Sequence, residues 1–260
     1  MTTQLAKEAP GDPVAPRPVG PTGTGSRTTR VLGIILIVAL ALWLFLALVG
    51  TPLDAVQGVP YRLIFLHVPV VVSAYLASVI GAVASGIWLW KRTEGWDVLA
   101  AAAIEVAAVF TAATLVSGAI WGGASWGVLW VWDARVTATA LLFLLQLGYL
   151  AVRRIPASFE ARGRRSAVIG LLLAPNLVII NQAVVWWRSV HQPPTILKLD
   201  PTEKRGMEGS MAFGFTYAMV VAGLLVTWLL IHRFRVGWLA DRVEERGLED
   251  ALAERRREVS

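Results

Sequence analysis

The sequence predicts an all-α polytopic membrane protein, a bundle of six transmembrane helices with both termini in the cytoplasm. Three observations lead there. Of the 260 residues 56% are hydrophobic and the mean hydropathy is +0.60, too apolar for a soluble domain. The apolar residues gather into six runs of about 20 residues, the length that crosses a hydrocarbon core of ~30 Å. Basic residues flank those runs, so the net charge of +6 speaks for topology and against nucleic acid as a partner. The chain has no cysteine, which excludes disulfides, thiolate metal sites and covalent CxxCH haem attachment. It also lacks GxxxxGK[ST], so any ATP-driven step belongs to a partner.

Residues 1–30 are Pro- and Gly-rich without an aromatic residue, which predicts a disordered cytoplasmic tail and no cleavable signal. The first span is expected over 31–50. A polar connection with Pro52, Gly58 and Pro60 leads to the second span, 66–90, with His67 and Pro69 at its start. A charged loop, 91–97, precedes the third span, 98–120. The stretch 121–137 follows, WGGASWGVLWVWDARVT, and the fourth span starts after Asp133 and ends near Val152. A loop over 153–165 carries five arginines, and the fifth span, 166–187, contains Pro175, Asn176, Asn181 and Gln182. A polar loop, 188–209, holds His191 and two consecutive prolines; the sixth span is 210–231. The domain expected is 31–232, with 233–260 a charged cytoplasmic helix or tail.

Lysine and arginine orient the bundle. The two tails and the even-numbered loops carry 18 of the 24 basic residues, which places both termini in the cytoplasm by the positive-inside rule. Parity then puts His67, His191 and the tryptophan stretch at one end, on the extracytoplasmic face. His232 falls at the other end.

Two neutral imidazoles beside a broad aromatic surface suit a flat apolar cofactor with axial nitrogen ligands, and haem is the obvious candidate. Trp121, Trp126, Trp130 and Trp132 form the surface, with Trp186 and Trp187 a second aromatic pair beside His191. Arg62, Arg135 and Arg188 lie in the same outer loops and could meet propionates. Asp133 has two readings, a cap on the fourth helix or a ligand-side residue, and both can hold. Isolated Trp43, Trp88, Trp90 and Trp228 are expected to be interfacial anchors. Glu105, Gln146, Asn176, Asn181 and Gln182 are expected to face the bundle interior and to bond one another or the gap at Pro175, without a haem role.

The string at 121–137 resembles the tryptophan-rich WWD signature of the haem-handling family that includes the CcmC, CcmF and CcsA types. YRLIFLHVPV (61–70) and VVWWRSVHQPPT (184–195) are similar to the two histidine segments of the CcmC branch, which also matches in span number. The chain departs at Leu129, where that family often has an aromatic residue, and in its two extra tails. The resemblance implies a cytochrome c biogenesis factor of the bacterial inner membrane, not an enzyme. It would hold haem b transiently as cargo, with His67 and His191 as iron ligands and Trp121, Trp126, Trp130, Trp132, Asp133 and Arg135 as the platform. The implied partners are a CcmE-type haem chaperone, a CcmA/CcmB ABC transporter and a small CcmD-type membrane protein. The alternative from the residues is a b-type cytochrome subunit of a quinone oxidoreductase. That class places histidines in mid-span, and here none lies there.

Overall fold

The computed structural model describes residues 20–191 and 209–259, and among these it contains helices and no strand. Six helices are long and apolar enough to cross a membrane: α1 (Arg27–Phe45, extended by a π-helical turn, Leu46–Gly50), α2 (Ile64–Lys91), α3 (Glu94–Trp126), α4 (Ala134–Arg153), α5 (Phe159–Trp186) and α6 (Gly209–Val259). A short 3-10 turn, Val59–Leu63, leads into α2. The expected number and order of spans are as found.

Boundaries differ where capping chemistry overrides hydropathy. α1 starts inside the stretch expected as tail, because Ser26 caps it through a reciprocal bond with Thr29. Gly20 packs so closely on Trp238 of α6 that a side chain there would overlap the indole. The loop at 91–97 shrinks to a tight turn at Arg92 (φ 53°) and Thr93. Most of the arginine-rich loop is the first turns of α5, capped by Ser158. The tail after the sixth span continues α6 without a break. Arginine is a good helix former, so hydropathy marks where a span leaves lipid and not where its helix ends. The predicted readings of residues 1–19 and of 192–208 lie outside the described residues.

Packing follows the rules of apolar media. α2, α3, α4 and α5 form the central group, and α1 and α6 pack beside it. α2 and α3 meet through Ala74, Ala77, Ala103 and Ala107, all buried, and Gly81 lets Ile104 approach. Small residues permit such contact where lipid supplies no hydrophobic drive between helices. Ser73, Ser78, Ser85, Thr111 and Thr114 each donate to a carbonyl one turn back, so none of these five hydroxyls is stranded. The interior polar residues behave as expected in part: Gln146 donates to Ser78 (3.0 Å) and Asn176 to the Ala138 carbonyl (3.1 Å).

At the end of the bundle remote from the tryptophan stretch, ion pairs set helix registers. Asp97 at the start of α3 is buried and takes both guanidinium nitrogens of Arg153, at 2.6 and 2.8 Å, with Arg162 at 3.4 Å. Arg242 of α6 pairs with Glu94 (2.5 Å), and Arg233 pairs with Glu105. The extension of α6 is thereby clamped onto α3. Glu105, expected in the interior, meets its partner at a half-exposed position instead.

Candidate functional site

α2 begins, α3 ends and α4 begins at the same end of the bundle. Between them lies a cavity of about 710 Å³, within the range of small-molecule sites. Its walls include His67, Tyr75, Trp121, Trp126, Trp130, Arg135 and His191. Helical periodicity explains the α2 wall. Val68, Val71, Val72, Tyr75, Leu76 and Val79 recur at three- and four-residue steps and so share one face with His67.

The tryptophan stretch is only half loop. α3 runs through Trp126 and ends at Gly127, whose positive φ (76°) supplies the left-handed turn a Cβ would oppose. The chain then folds back, and Gly122 gives Trp126 the room to lie against α3. Trp121 meets His67 edge-on at 5.8 Å between centroids, and Trp126 meets His191 edge-on at 5.0 Å. Each histidine therefore has its own tryptophan.

Hydrogen bonding orients the first imidazole. His67 Nδ1 is 2.9 Å from Ser117 Oγ, and Ser117 spends its only proton on the Ala113 carbonyl (2.7 Å). The hydroxyl can then only accept, so the ring proton sits on Nδ1 and Nε2 keeps a free lone pair. Gly118 leaves space for this ring, since a Cβ there would stand 3.1 Å from Cε1.

The second imidazole is held by Asp133. One carboxylate oxygen caps α4 by accepting from the backbone N–H of Arg135 (2.8 Å) and Val136 (3.4 Å); the other accepts from Val190 N–H (3.1 Å). His191 Nδ1 lies 3.3 Å from the capping oxygen, near enough for ion pairing but short of hydrogen-bond geometry. Asp133 is thus both the cap and the strap that ties the His191 segment to the tryptophan stretch. Burial alone would raise its pKa, yet the Ser189, Arg135 and Val190 hydrogen bonds and the His191 charge together hold it below the usual carboxylate value. Burial pushes the His191 pKa below 6.5 against the opposing pull of Asp133, which leaves a neutral imidazole at neutral pH.

The structure brings His67, His191, Trp121, Trp126, Trp130 and Arg135 to the cavity wall, with Asp133 directly behind. The other expected site residues stand apart from that wall. Trp132 is 85% exposed and Trp186 and Trp187 are about half exposed. Arg188 is exposed. Arg62 is spent on the carbonyls of Leu48, Val49 and Thr51, closing the open end of α1. Conversely, Tyr75 and Thr139 line the cavity and Ser117 orients His67, none of them anticipated, and Asn181, expected in the bundle interior without a haem role, also lies in the cavity wall. The signal for two was available: Tyr75 lies eight residues after His67, and Ser117 four before Trp121, on shared helix faces.

The architecture defines a class: a multi-helix membrane protein with an apolar, tryptophan-walled cavity carrying two inward imidazoles at one end. Within that class the chain belongs to the Heme exporter protein C family, whose model matches residues 19–249. Relatives bearing that name are 34% identical over 183 residues in Bradyrhizobium diazoefficiens (69% of each chain) and 30% over 203 residues in Escherichia coli K12 (75% of this chain, 81% of the relative). In Haemophilus influenzae the identity is 31% over 221 residues, 83% of this chain and 86% of the relative.

Proposed function

We propose that this protein handles haem in cytochrome c maturation, receiving haem b as cargo in the 710 Å³ cavity and releasing it to a haem chaperone of the CcmE type. His67 and His191 are the axial ligands through Nε2, and Trp121, Trp126 and Trp130 are the platform against which the macrocycle rests. Arg135 is the cation for a propionate. The observation that carries this reading is that both imidazoles line a single apolar cavity with Nδ1 turned to an outer polar group, a serine hydroxyl at 2.9 Å behind His67 and the Asp133 carboxylate at 3.3 Å behind His191. That is the arrangement metal-bound histidines adopt, because the outer partner fixes the ring and raises the basicity of the ligating nitrogen.

The bilayer is the bacterial inner membrane with the cavity on the extracytoplasmic face, as the basic residues at the opposite end support. A CcmA/CcmB transporter and a CcmD-type small protein are the partners consistent with the family; the chain supplies no ATP-binding loop of its own. Trp132, Trp186 and Trp187, exposed beside the cavity, form the surface where the chaperone docks.

The test is Soret absorbance per mole of protein, purified from haem-replete cells, for the wild type, His67→Ala and His191→Ala. Both variants are expected to lose most of the bound haem. Undiminished haem in both would sink the ligand assignment.

A further inference from the structure

A second cavity, of about 390 Å³, lies at the opposite end of the bundle between α1 and α6. Gly25 and Ser26, just before α1, and Arg30, Ile34, Ile37 and Leu40 on it form one wall, and α6 adds Leu225, Trp228 and His232. Its length along α1, from residue 25 to residue 40, is about 22 Å at 1.5 Å per residue, enough to run from the headgroup zone through one ~15 Å hydrocarbon leaflet. Its flank faces outward from the bundle, as Ile34 is 60% and Ile37 69% exposed. Trp228 holds the two helices apart. Its Nε1 donates to the Thr29 carbonyl (2.9 Å), Gly33 receives its ring edge, and His232 rests on it at 4.4 Å.

Polarity is confined to one end. Arg30 is in the lining and Arg27 lies one turn before it on α1; both are exposed, and neither side chain forms an ion pair or hydrogen bond among the described residues. Two acids of α3 that meet α6 are engaged in pairs of their own, Glu105 with Arg233 and Glu94 with Arg242. The result is an apolar trough, open to lipid, with two guanidinium groups at its head that no acidic side chain among the described residues compensates.

We propose that this groove is a binding site for one anionic phospholipid, an acyl chain lying along Leu36, Leu40 and Leu225 and the phosphate meeting Arg27 and Arg30. Guanidinium forks match phosphate oxygens, and a basic residue at a membrane surface favours an anionic headgroup. The bound lipid would brace α1, the least buried of the six spans, against α6. The site lies at the other end of the bundle from the two-histidine cavity and is independent of the haem reading.

The experiment is native mass spectrometry of the full chain released from detergent, titrated with phosphatidylglycerol, phosphatidylcholine or inorganic phosphate. The wild type is expected to retain a single phosphatidylglycerol, to hold phosphatidylcholine at least about fivefold more weakly, and to ignore inorganic phosphate. Arg30→Gln is expected to weaken phosphatidylglycerol about fivefold and Arg27→Gln/Arg30→Gln further. Ile37→Trp, at an exposed position that tolerates bulk, fills the trough and is expected to abolish retention of either lipid while haem retention stays at the wild-type level. Equal retention of the two lipids, or phosphatidylglycerol binding unaffected by both the arginine and the tryptophan variants, overturns the site. Free phosphate competing with the lipid would show an anion site without an acyl groove, and would overturn it equally.

Discussion

Replacing Asp133 with asparagine separates the two tasks of that carboxylate. Asparagine is as good an N-cap as aspartate, so the bonds from Arg135 and Val136 N–H survive on the amide oxygen. What changes is the second oxygen, now an NH₂ group facing Val190 N–H, donor against donor, where a 3.1 Å hydrogen bond stood. A buried donor left unpaired costs about 1–3 kcal/mol, and that cost falls on the segment that positions His191. The negative charge 3.3 Å from His191 Nδ1 is lost as well. Removing such an outer partner typically lowers metal affinity about 10–100-fold, or roughly 1.4–2.7 kcal/mol. The assay is a haem titration of purified protein by Soret absorbance, with circular dichroism to confirm that the helices persist. Asp133→Asn is expected to stay helical and in the membrane while binding haem at least about tenfold more weakly. Asp133→Ala adds the loss of the cap, about 1 kcal/mol more. If Asp133→Asn bound haem within about twofold of the wild type while Asp133→Ala did not, Asp133 would be a cap and nothing else.

Haem retention should also depend on pH with a definite sign. The neutral imidazole is the ligating form, so binding is full near neutrality and falls as pH drops through the lowered His191 pKa, below 6.5. Because Asp133 pulls that pKa up, its loss in Asp133→Asn should move the acid limb of a Soret–pH titration to lower pH, and a limb moving up would contradict the coupling. Trp126→Ala, which removes the ring against His191, should reduce retained haem, whereas Trp132→Ala, at 85% exposure, should leave retention intact and slow transfer to the chaperone; equal retention losses would place Trp132 in the pocket. Asp97→Asn strips the buried partner from Arg153 and should destabilise the fold by about 3–5 kcal/mol, read as a lower thermal aggregation temperature with an unchanged Soret maximum in the protein that survives. A shifted maximum would mean that the two ends of the bundle are coupled.

Much of the fold was legible because lipid imposes local rules. Each span must satisfy its own backbone and be long enough to cross, so hydropathy alone located six helices in order. Helix ends were less legible. Ser26 and Ser158 start α1 and α5 well before the apolar runs begin, and α3 carries Trp121 to Trp126 as helix until Gly127 breaks it. These limits come from side-chain capping and backbone preference, which an apolar window does not weigh.

For the candidate site, alternation of helix direction along the chain suffices to place His67, the tryptophan stretch and His191 at one end, and the family resemblance rests on the same three strings. Which members share a wall was decided by the rotation of each helix about its own axis and by where the loop after Gly127 turns back. That is why Trp126 lies against His191 while Trp132, six residues on, faces outward, and why Arg62 closes α1 instead of reaching the cavity. It is also why Ser117 and Tyr75, unremarkable in the linear chain, and Asn181, read there only as an interior polar residue, stand at or behind the cavity wall. The sequence by itself determined a six-span membrane protein with two histidines and a tryptophan cluster at a common end, because hydrophobicity and charge act locally along a chain. Only the tertiary structure decided that Asp133 serves cap and histidine together, since its partners, Arg135 and Val190, lie 55 residues apart and meet only when α4 and the end of α5 pack side by side.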